Sequence, residues 1–380
     1  MPKSIGIPAF FPRHQQSGGV FSVFENLMLG IAELLAAPGT QDVEVTVYHG
    51  SSIRPQPDAK LRWQEVSQRF GRFAAEARVA LREGSRNDAL LFLNYHTPLV
   101  VRANRAVTVI HDLQYRHMPE FYSPAKRLRM RCCHAITLRK CHRVVAISQA
   151  VKNDLLRVYG PQWHDRIEVI WNPVSLRRFD GSAEHDVTGG RPYILCVAVD
   201  RPQKNLFRLV QAFAQVNARH PDYCLVMAGQ LRSLRSNPRE LSARVSRTMP
   251  ATVDLVEDLG LSDHVRVTGF VSDEVLGALY RGATMCVLPS LFEGFGMPAV
   301  ESLAMGKPTL TSDLPVLREV TLGLAQYLED PTNVAAMSDV ICTMLDHPGH
   351  YRPAVDRVEQ VRHAFAPLTI ARRYVDVLTS

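Results

Sequence analysis

No acidic Asp-x-Asp pair of the kind that holds a divalent ion occurs in these 380 residues, and no Cys-x-x-Cys or His/Cys cluster has metal-site spacing. The seven cysteines (Cys132, Cys133, Cys141, Cys196, Cys224, Cys286 and Cys342) are scattered, several within apolar runs such as Ile194-Leu195-Cys196-Val197. They are expected to be reduced core thiols rather than disulfide partners or zinc ligands. No run approaches the roughly 20 apolar residues that span a membrane. The start, Met1 to Ile7, lacks the apolar region and cleavage site of a signal peptide, so a cytoplasmic protein is expected. Gly-x-Gly-x-x-Gly and Gly-x4-Gly-Lys-[Ser/Thr] are both missing, which disfavours nicotinamide-binding and P-loop readings. Repeats and low-complexity tracts are missing as well.

What remains is a globular composition, 46% hydrophobic and 21% charged, on a chain long enough for two domains. The net charge of +7 suits anionic partners. Much of it falls in 126–143, where Lys126, Arg127, Arg129, Arg131, Arg139, Lys140 and Arg143 accompany helically spaced apolar residues. A solvated helix face and peripheral contact with an anionic membrane both account for that segment. Nucleic acid is not expected, because no reading motif or basic face with interleaved aromatics accompanies the charge.

Short β-branched runs alternate with helical patterns throughout. Strands are predicted at 4–9, 43–48, 89–93, 106–110, 143–147 and 167–170, then at 193–199, 223–228, 264–268, 284–288 and 308–311. Apolar strands separated by helices indicate parallel sheets covered on both faces, an α/β class. Asn172-Pro173 and the Gly/Ser-rich stretch through Gly189-Gly190 read as a linker. The expected domains are 1–173 and 190–366, each doubly wound, with 367–380 free to pack on either. Ligands of such sheets bind beyond the carboxyl ends of the strands, here expected in a cleft that the two domains face.

The most informative segment, Pro289-Ser290-Leu291-Phe292-Glu293-Gly294-Phe295-Gly296-Met297-Pro298-Ala299-Val300-Glu301, follows an apolar strand. Gly294 and Gly296 allow a sharp turn and close backbone approach. Pro298 fits the first turn of a helix whose N-terminus suits a phosphate. Glu301 either accepts from two vicinal ribose hydroxyls or caps the helix dipole, and Glu293 sits where a sugar would lie. Strand, glutamate, Gly-x-Gly, proline and second glutamate in this order favour the functional reading.

Glu293-x7-Glu301 enclosing Gly-Phe-Gly-Met-Pro resembles the donor-site signature of the retaining GT-B glycosyltransferases of family 4, and the resemblance spans nearly the whole chain. Ser17-Gly18-Gly19-Val20 is similar to the family's glycine loop, and Val109-Ile110-His111-Asp112-Leu113 to its His-Asp motif. Gly269-Phe270-Val271-Ser272 resembles its turn near the nucleotide base. The resemblance implies two Rossmann-like domains, a donor site including Gly294, Phe295, Gly296, Met297, Glu301 and Val271, and His111 beside the donor sugar. It places Gly18 and Gly19 on the acceptor or phosphate side. Asn94 and His96 follow a first-domain strand and on that ground are expected to line the acceptor side, though turn chemistry accounts for them nearly as well. The phosphate-binding bases fall in 197–205, where Lys204 matches. Ala198 and Val199 replace the usual glycine and arginine, and Arg201 is expected to supply the missing charge, although a plain surface arginine is its other reading.

The implied enzyme moves a hexose from a nucleoside diphosphate to a glycan or lipid-linked saccharide with retention and without a metal or other cofactor. Its style is that of bacterial mannosyl- and rhamnosyltransferases of cell-surface polysaccharide assembly. GDP-mannose is the first donor expectation, with UDP- and dTDP-sugars as others. The rival readings are a GT-B epimerase or phosphorylase and a basic binding protein.

Overall fold

The structure, a computed structural model, describes residues 3–11, 19–38, 42–53, 60–94, 96–179, 181, 185–231 and 251–380. Runs such as Ala-Leu-Leu-Phe at 89–92 are buried on both faces, which a strand achieves only inside a covered sheet. The first sheet contains β1 (Lys3–Ala9), β2 (Val43–His49), β3 (Leu61–Glu65), β4 (Ala89–Phe92), β5 (Arg105–Ile110), β6 (Arg143–Ala146) and β7 (Ile167–Val169) in the order β3-β2-β1-β4-β5-β6-β7. The second contains β8 (Tyr193–Val197), β9 (Cys224–Ala228), β10 (Val265–Gly269), β11 (Met285–Leu288), β12 (Thr309–Ser312) and β13 (Gln326–Leu328) in the order β10-β9-β8-β11-β12-β13. Every strand pair in both sheets is parallel. Counted from its own first strand, each sheet runs 3-2-1-4-5-6, with a seventh strand added after the sixth in the first sheet; this is the doubly wound order whose direction reverses between strands one and four. That reversal lies between β1 and β4 in one sheet and between β8 and β11 in the other.

The chain divides into two compact units, residues 1–175 with 363–380, and residues 176–362. In the first, the last helix, Pro367–Thr379, packs on the helix Gly19–Ala36. A Cβ on Gly30 would lie 2.1 Å from the Pro367 carbonyl oxygen, so glycine is what lets the two backbones approach. Arg373 donates to the Val169 carbonyl at 2.6 Å, and Trp171 stacks on Phe365 at 4.9 Å, tying the returning segment to the end of the sheet. By length and composition the helix Gly19–Ala36, with mean hydropathy 1.5, could cross a membrane, contrary to the sequence expectation. Yet 56% of it is buried inside this unit, where Leu27, Met28 and Ile31 form core.

In the second unit the expected linker is partly core. Phe179 is 2% exposed and packs on Tyr280, ring centroids 5.5 Å apart, while Arg281 donates to the Phe179 carbonyl at 2.6 Å. The unit therefore begins at Leu176 rather than after the glycines. Two strands that pattern reading passes over, β3 and β13, are polar edge strands; in β3 only Leu61 is buried. Between β3 and β4 the helix is short, Arg72–Arg78, continued by a π-turn to Glu83, because β3 and the turn after it occupy the preceding residues. Of the cysteines, Cys132 is exposed and Cys133 half-buried on the basic helix; the other five are buried thiols, as expected.

Candidate active site

In the second unit the chain leaves β8 into a turn ending at Asn205, whose φ of 58° places it in the left-handed region. Asn205 holds that conformation because its buried amide donates to the carbonyls of Pro289, at 3.0 Å, and Pro331, at 2.7 Å. The backbone of Leu291 donates to the Gln203 carbonyl at 2.7 Å. The loop after β8 is thus stitched to the loop after β11, at the point where the strand order reverses.

Within this frame Lys204 and Glu293 meet. Lys204 Nζ donates to Glu293 Oε1 at 2.5 Å, and buried Ser290 donates its hydroxyl to the same oxygen at 2.7 Å. Gly294 is half-buried, Phe295 and Gly296 are buried, and Gly296, at φ 96°, caps the helix Met297–Ala304 with Pro298 in its first turn. The φ itself favours glycine, and a Cβ there would also displace the tip of the Leu317 side chain, whose Cδ2 lies 2.5 Å away. The positive end of that helix lies at the same sheet end as Lys204, an arrangement that favours anions.

Glu301 lies on this helix and is 3% exposed. Tyr280, on the helix Asp273–Gly282, donates its phenol to Glu301 Oε2 at 2.8 Å. Val271, in the turn after β10, is half-buried in the cluster that contains Phe179 and Tyr280. Arg201 is exposed, and among the described contacts no side-chain hydrogen bond or ion pair joins it to Lys204 or Glu293. The structure therefore brings Lys204, Glu293 and the glycine turn together but leaves Arg201 at the surface.

In the first unit His111 follows β5, and its Nε2 lies 2.8 Å from the Leu93 carbonyl. A carbonyl only accepts, so Nε2 carries the proton and Nδ1 the lone pair. Burial pushes the His111 imidazole below its ordinary pKa, against the smaller opposing effects of that hydrogen bond and Asp112, and favours the neutral ring. Asp112 accepts from the Gln114 amide at 2.8 Å and so caps the following turn. After β4, Asn94 donates to Glu76 Oε1 at 3.1 Å, and His96 Nε2 lies 3.0 Å from Glu76 Oε2. That second approach is too oblique for a hydrogen bond, and it is an ion pair only when His96 is protonated. Thr97 anchors the same loop through Thr108, at 2.7 Å, and Cys141, at 2.9 Å.

Burial raises the Glu76 carboxyl to about 7, partly offset by Arg72 and the Asn94 bond. The same burial, with Arg72 and Arg129, lowers His96 to about 4. Glu76 and Tyr280 were missed in the sequence. The signal for Glu76 was an acid on the apolar stripe Ala75, Glu76, Val79, Ala80; for Tyr280, a hydroxyl in the buried run Ala278-Leu279-Tyr280.

Gly18 lies outside the described residues. Gly19 opens its helix exposed, and a Cβ there would meet nothing within 4 Å, so the fold itself makes no demand for glycine at that position. Among the described residues no three or more His, Cys, Asp or Glu side chains converge as a metal site.

Comparison with known proteins adds to this geometry. The sequence pattern of Glycosyltransferase Family 4 matches residues 24–178, and that of Glycosyl transferases group 1 matches residues 179–360. The O-antigen chain mannosyltransferase RfbU of Salmonella typhimurium is 28% identical over 251 residues, covering 66% of this chain and 63% of that protein. O-antigen chain mannosyltransferase B of Escherichia coli is 29% identical over 256 residues, covering 64% and 63%. The matched region thus spans a little under two thirds of the length of these two relatives. The crystal structure of HepE from Anabaena, in complex with UDP and glucose, superposes with a TM-score of 0.71 at 17% identity, covering 99% of both chains. With both halves matched in order and the two doubly wound sheets in place, the chain belongs to the GT-B glycosyltransferases of family 4.

Proposed function

We propose that the protein transfers a hexose from a nucleoside diphosphate sugar to a glycan or lipid-linked saccharide during cell-surface polysaccharide assembly. The observation that carries the reading is the Lys204–Glu293 pair beside a glycine-capped helix N-terminus, at the point where the second sheet reverses. Such a place binds phosphates through a cation and backbone N–H groups together. Lys204 neutralises the pyrophosphate, with Arg201 as a more distant second charge. Glu301 accepts from the ribose, the backbone near Val271 lies by the base, and Glu293 contacts the sugar. In the first unit a neutral His111, with Asn94 and His96, offers hydrogen bonds to sugar hydroxyls.

In the reaction the anomeric C–O bond to the phosphate breaks and an acceptor oxygen bonds the same face of that carbon. The acceptor's proton passes to the departing phosphate; bonding on the same face retains the configuration, and no enzymic nucleophile is used. Charge grows on the leaving group toward the transition state, where Lys204 and the helix end stabilise it without a metal. Mannose from GDP-mannose is the first donor choice, supported by the mannosyltransferase names of the two bacterial relatives, and UDP- and dTDP-sugars are the other candidates. The exposed Lys126, Arg129, Arg131, Arg139 and Lys140 support weak attachment to an anionic cytoplasmic membrane face.

Incubation with GDP-mannose, UDP-glucose and dTDP-rhamnose, in EDTA and then in Mg²⁺, tests the reading by nucleoside diphosphate release and by the product's anomeric NMR signal. Release in EDTA with a retained anomer is expected. Activity only with added metal would contradict the metal-free mechanism, and an inverted anomer would contradict retention.

A further inference from the structure

Glu301 is buried and ionisable, and a carboxylate in that position is costly unless hydrogen-bonded. The phenol of Tyr280 provides such a bond at 2.8 Å to Oε2. Its other neighbour, the Pro298 carbonyl, is 3.5 Å away, and a phenol has one proton to give, so the carboxylate receives it. Tyr280 is itself fixed: it is 1% exposed, its ring packs on Phe179, and its helix is held by the Arg281 bond to the Phe179 carbonyl. The phenol therefore approaches Glu301 from a rigid wall.

The last torsion of a glutamate is broad and roughly two-fold, so backbone placement alone does not set the plane of its carboxylate. A donor on one oxygen does set it. Gripping two vicinal hydroxyls demands that plane, because a carboxylate rotated out of it keeps one hydroxyl and loses the other. We infer that Tyr280 is a positioning residue that orients Glu301 toward the paired hydroxyls of a ribose, and that it thereby sets the preference for ribonucleotides over 2′-deoxyribonucleotides. This inference rests on the proposed nucleotide-sugar site and adds to it a residue outside the Glu-x7-Glu segment.

Tyr280→Phe keeps the ring packing and removes only the hydroxyl. Calorimetric dissociation constants for GDP, 2′-deoxy-GDP, UDP and 2′-deoxy-UDP are measured with wild type, Tyr280→Phe, Glu301→Gln and the double variant. For whichever base binds, wild type should favour the ribo form at least tenfold. Tyr280→Phe should shrink that ratio to about threefold or less while leaving the 2′-deoxy affinity unchanged, and adding it to Glu301→Gln should change the ratio no further. A merely structural tyrosine would weaken both forms equally and preserve the ratio, and that result overturns the inference while leaving the nucleotide site standing. If wild type binds dTDP in preference to all of them, the inference falls and the nucleotide site stands; if it binds none of them, nor ADP nor dTDP, the inference and the function beneath it fall together.

Discussion

The two sheets share one strand order, yet the loops at their reversal points carry opposite electrostatic designs. In the second unit Lys204 and Glu293 keep 17% and 10% of their side chains in solvent, so their charges are accessible to an incoming ligand. In the first unit Glu76 keeps only 2% and His96 11%, and burial drives both toward their neutral forms. A charged pair suits a pyrophosphate; a pair whose charged forms burial disfavours suits an uncharged polyol. The difference comes from loops and the helices facing them, because the scaffolds are alike, and it is in such loops that function resides.

The strongest way to break this contrast is Lys204→Ala. Removing a preorganised donor to growing phosphate charge should lower turnover roughly 100- to 1,000-fold. Arg201→Ala, exposed and outside the described contacts of the pair, should cost far less; steady-state rates at saturating donor compare them. Equal losses would mean that Arg201 moves in to replace the arginine absent at Val199.

The first unit's pair is read by stability against pH. The folded Glu76 value lies above its ordinary 4.5, so its contribution is full below 4.5 and is lost as pH rises through about 7. The folded His96 value lies below its ordinary 6.5, so its contribution is full above 6.5 and is lost as pH falls through about 4. The two slopes oppose each other across most of that window and largely cancel. Glu76→Gln should uncover a stability that rises with pH, and His96→Gln one that falls, each by on the order of 3 kcal/mol at most. Urea midpoints between pH 4 and 8 follow both, and unchanged, flat profiles in the variants would remove the neutral pair.

A smaller effect of unusual sign sharpens the other half. Glu293 holds the ammonium that the pyrophosphate needs. Glu293→Gln should therefore bind the nucleoside diphosphate tighter, by about fivefold if the pair contributes about 1 kcal/mol, while transferring sugar more slowly. Weaker binding would mean that Glu293 holds Lys204 in place rather than competing for it. The smallest effect concerns Arg129→Glu with Arg131→Glu, which should reduce flotation with anionic liposomes at low salt and leave neutral liposomes unaffected.

Central strands such as β1, β5 and β11 were legible because residues buried on both faces must be apolar. The edges β3 and β13 were not, since Leu-Arg-Trp-Gln-Glu and Gln-Tyr-Leu carry no β-branched residue, whereas the other edges, β7 and β10, kept their β-branched runs and were read. The helices Pro315–Val320, Val334–Asp346 and Val355–Ala364 also passed unread. The donor loop was readable as a local string. Glu76 and Tyr280 were not, because their partners Asn94 and Glu301 lie 18 and 21 residues away and only the fold joins them. Phe179 passed as linker for the same reason: its partners are on a helix about a hundred residues later, as its bond from Arg281 across 102 positions illustrates.

The central claim is that the charged reversal point of the second unit holds a nucleoside diphosphate. Calorimetric titration of wild type and Lys204→Ala with GDP, UDP, dTDP and ADP tests it most directly. One of the four should bind wild type with a stoichiometry of one and bind Lys204→Ala at least about tenfold more weakly, since a hydrogen bond to a charged group contributes about 1.5–3 kcal/mol. Binding of none of them, or equal binding by a correctly folded Lys204→Ala, would contradict the account.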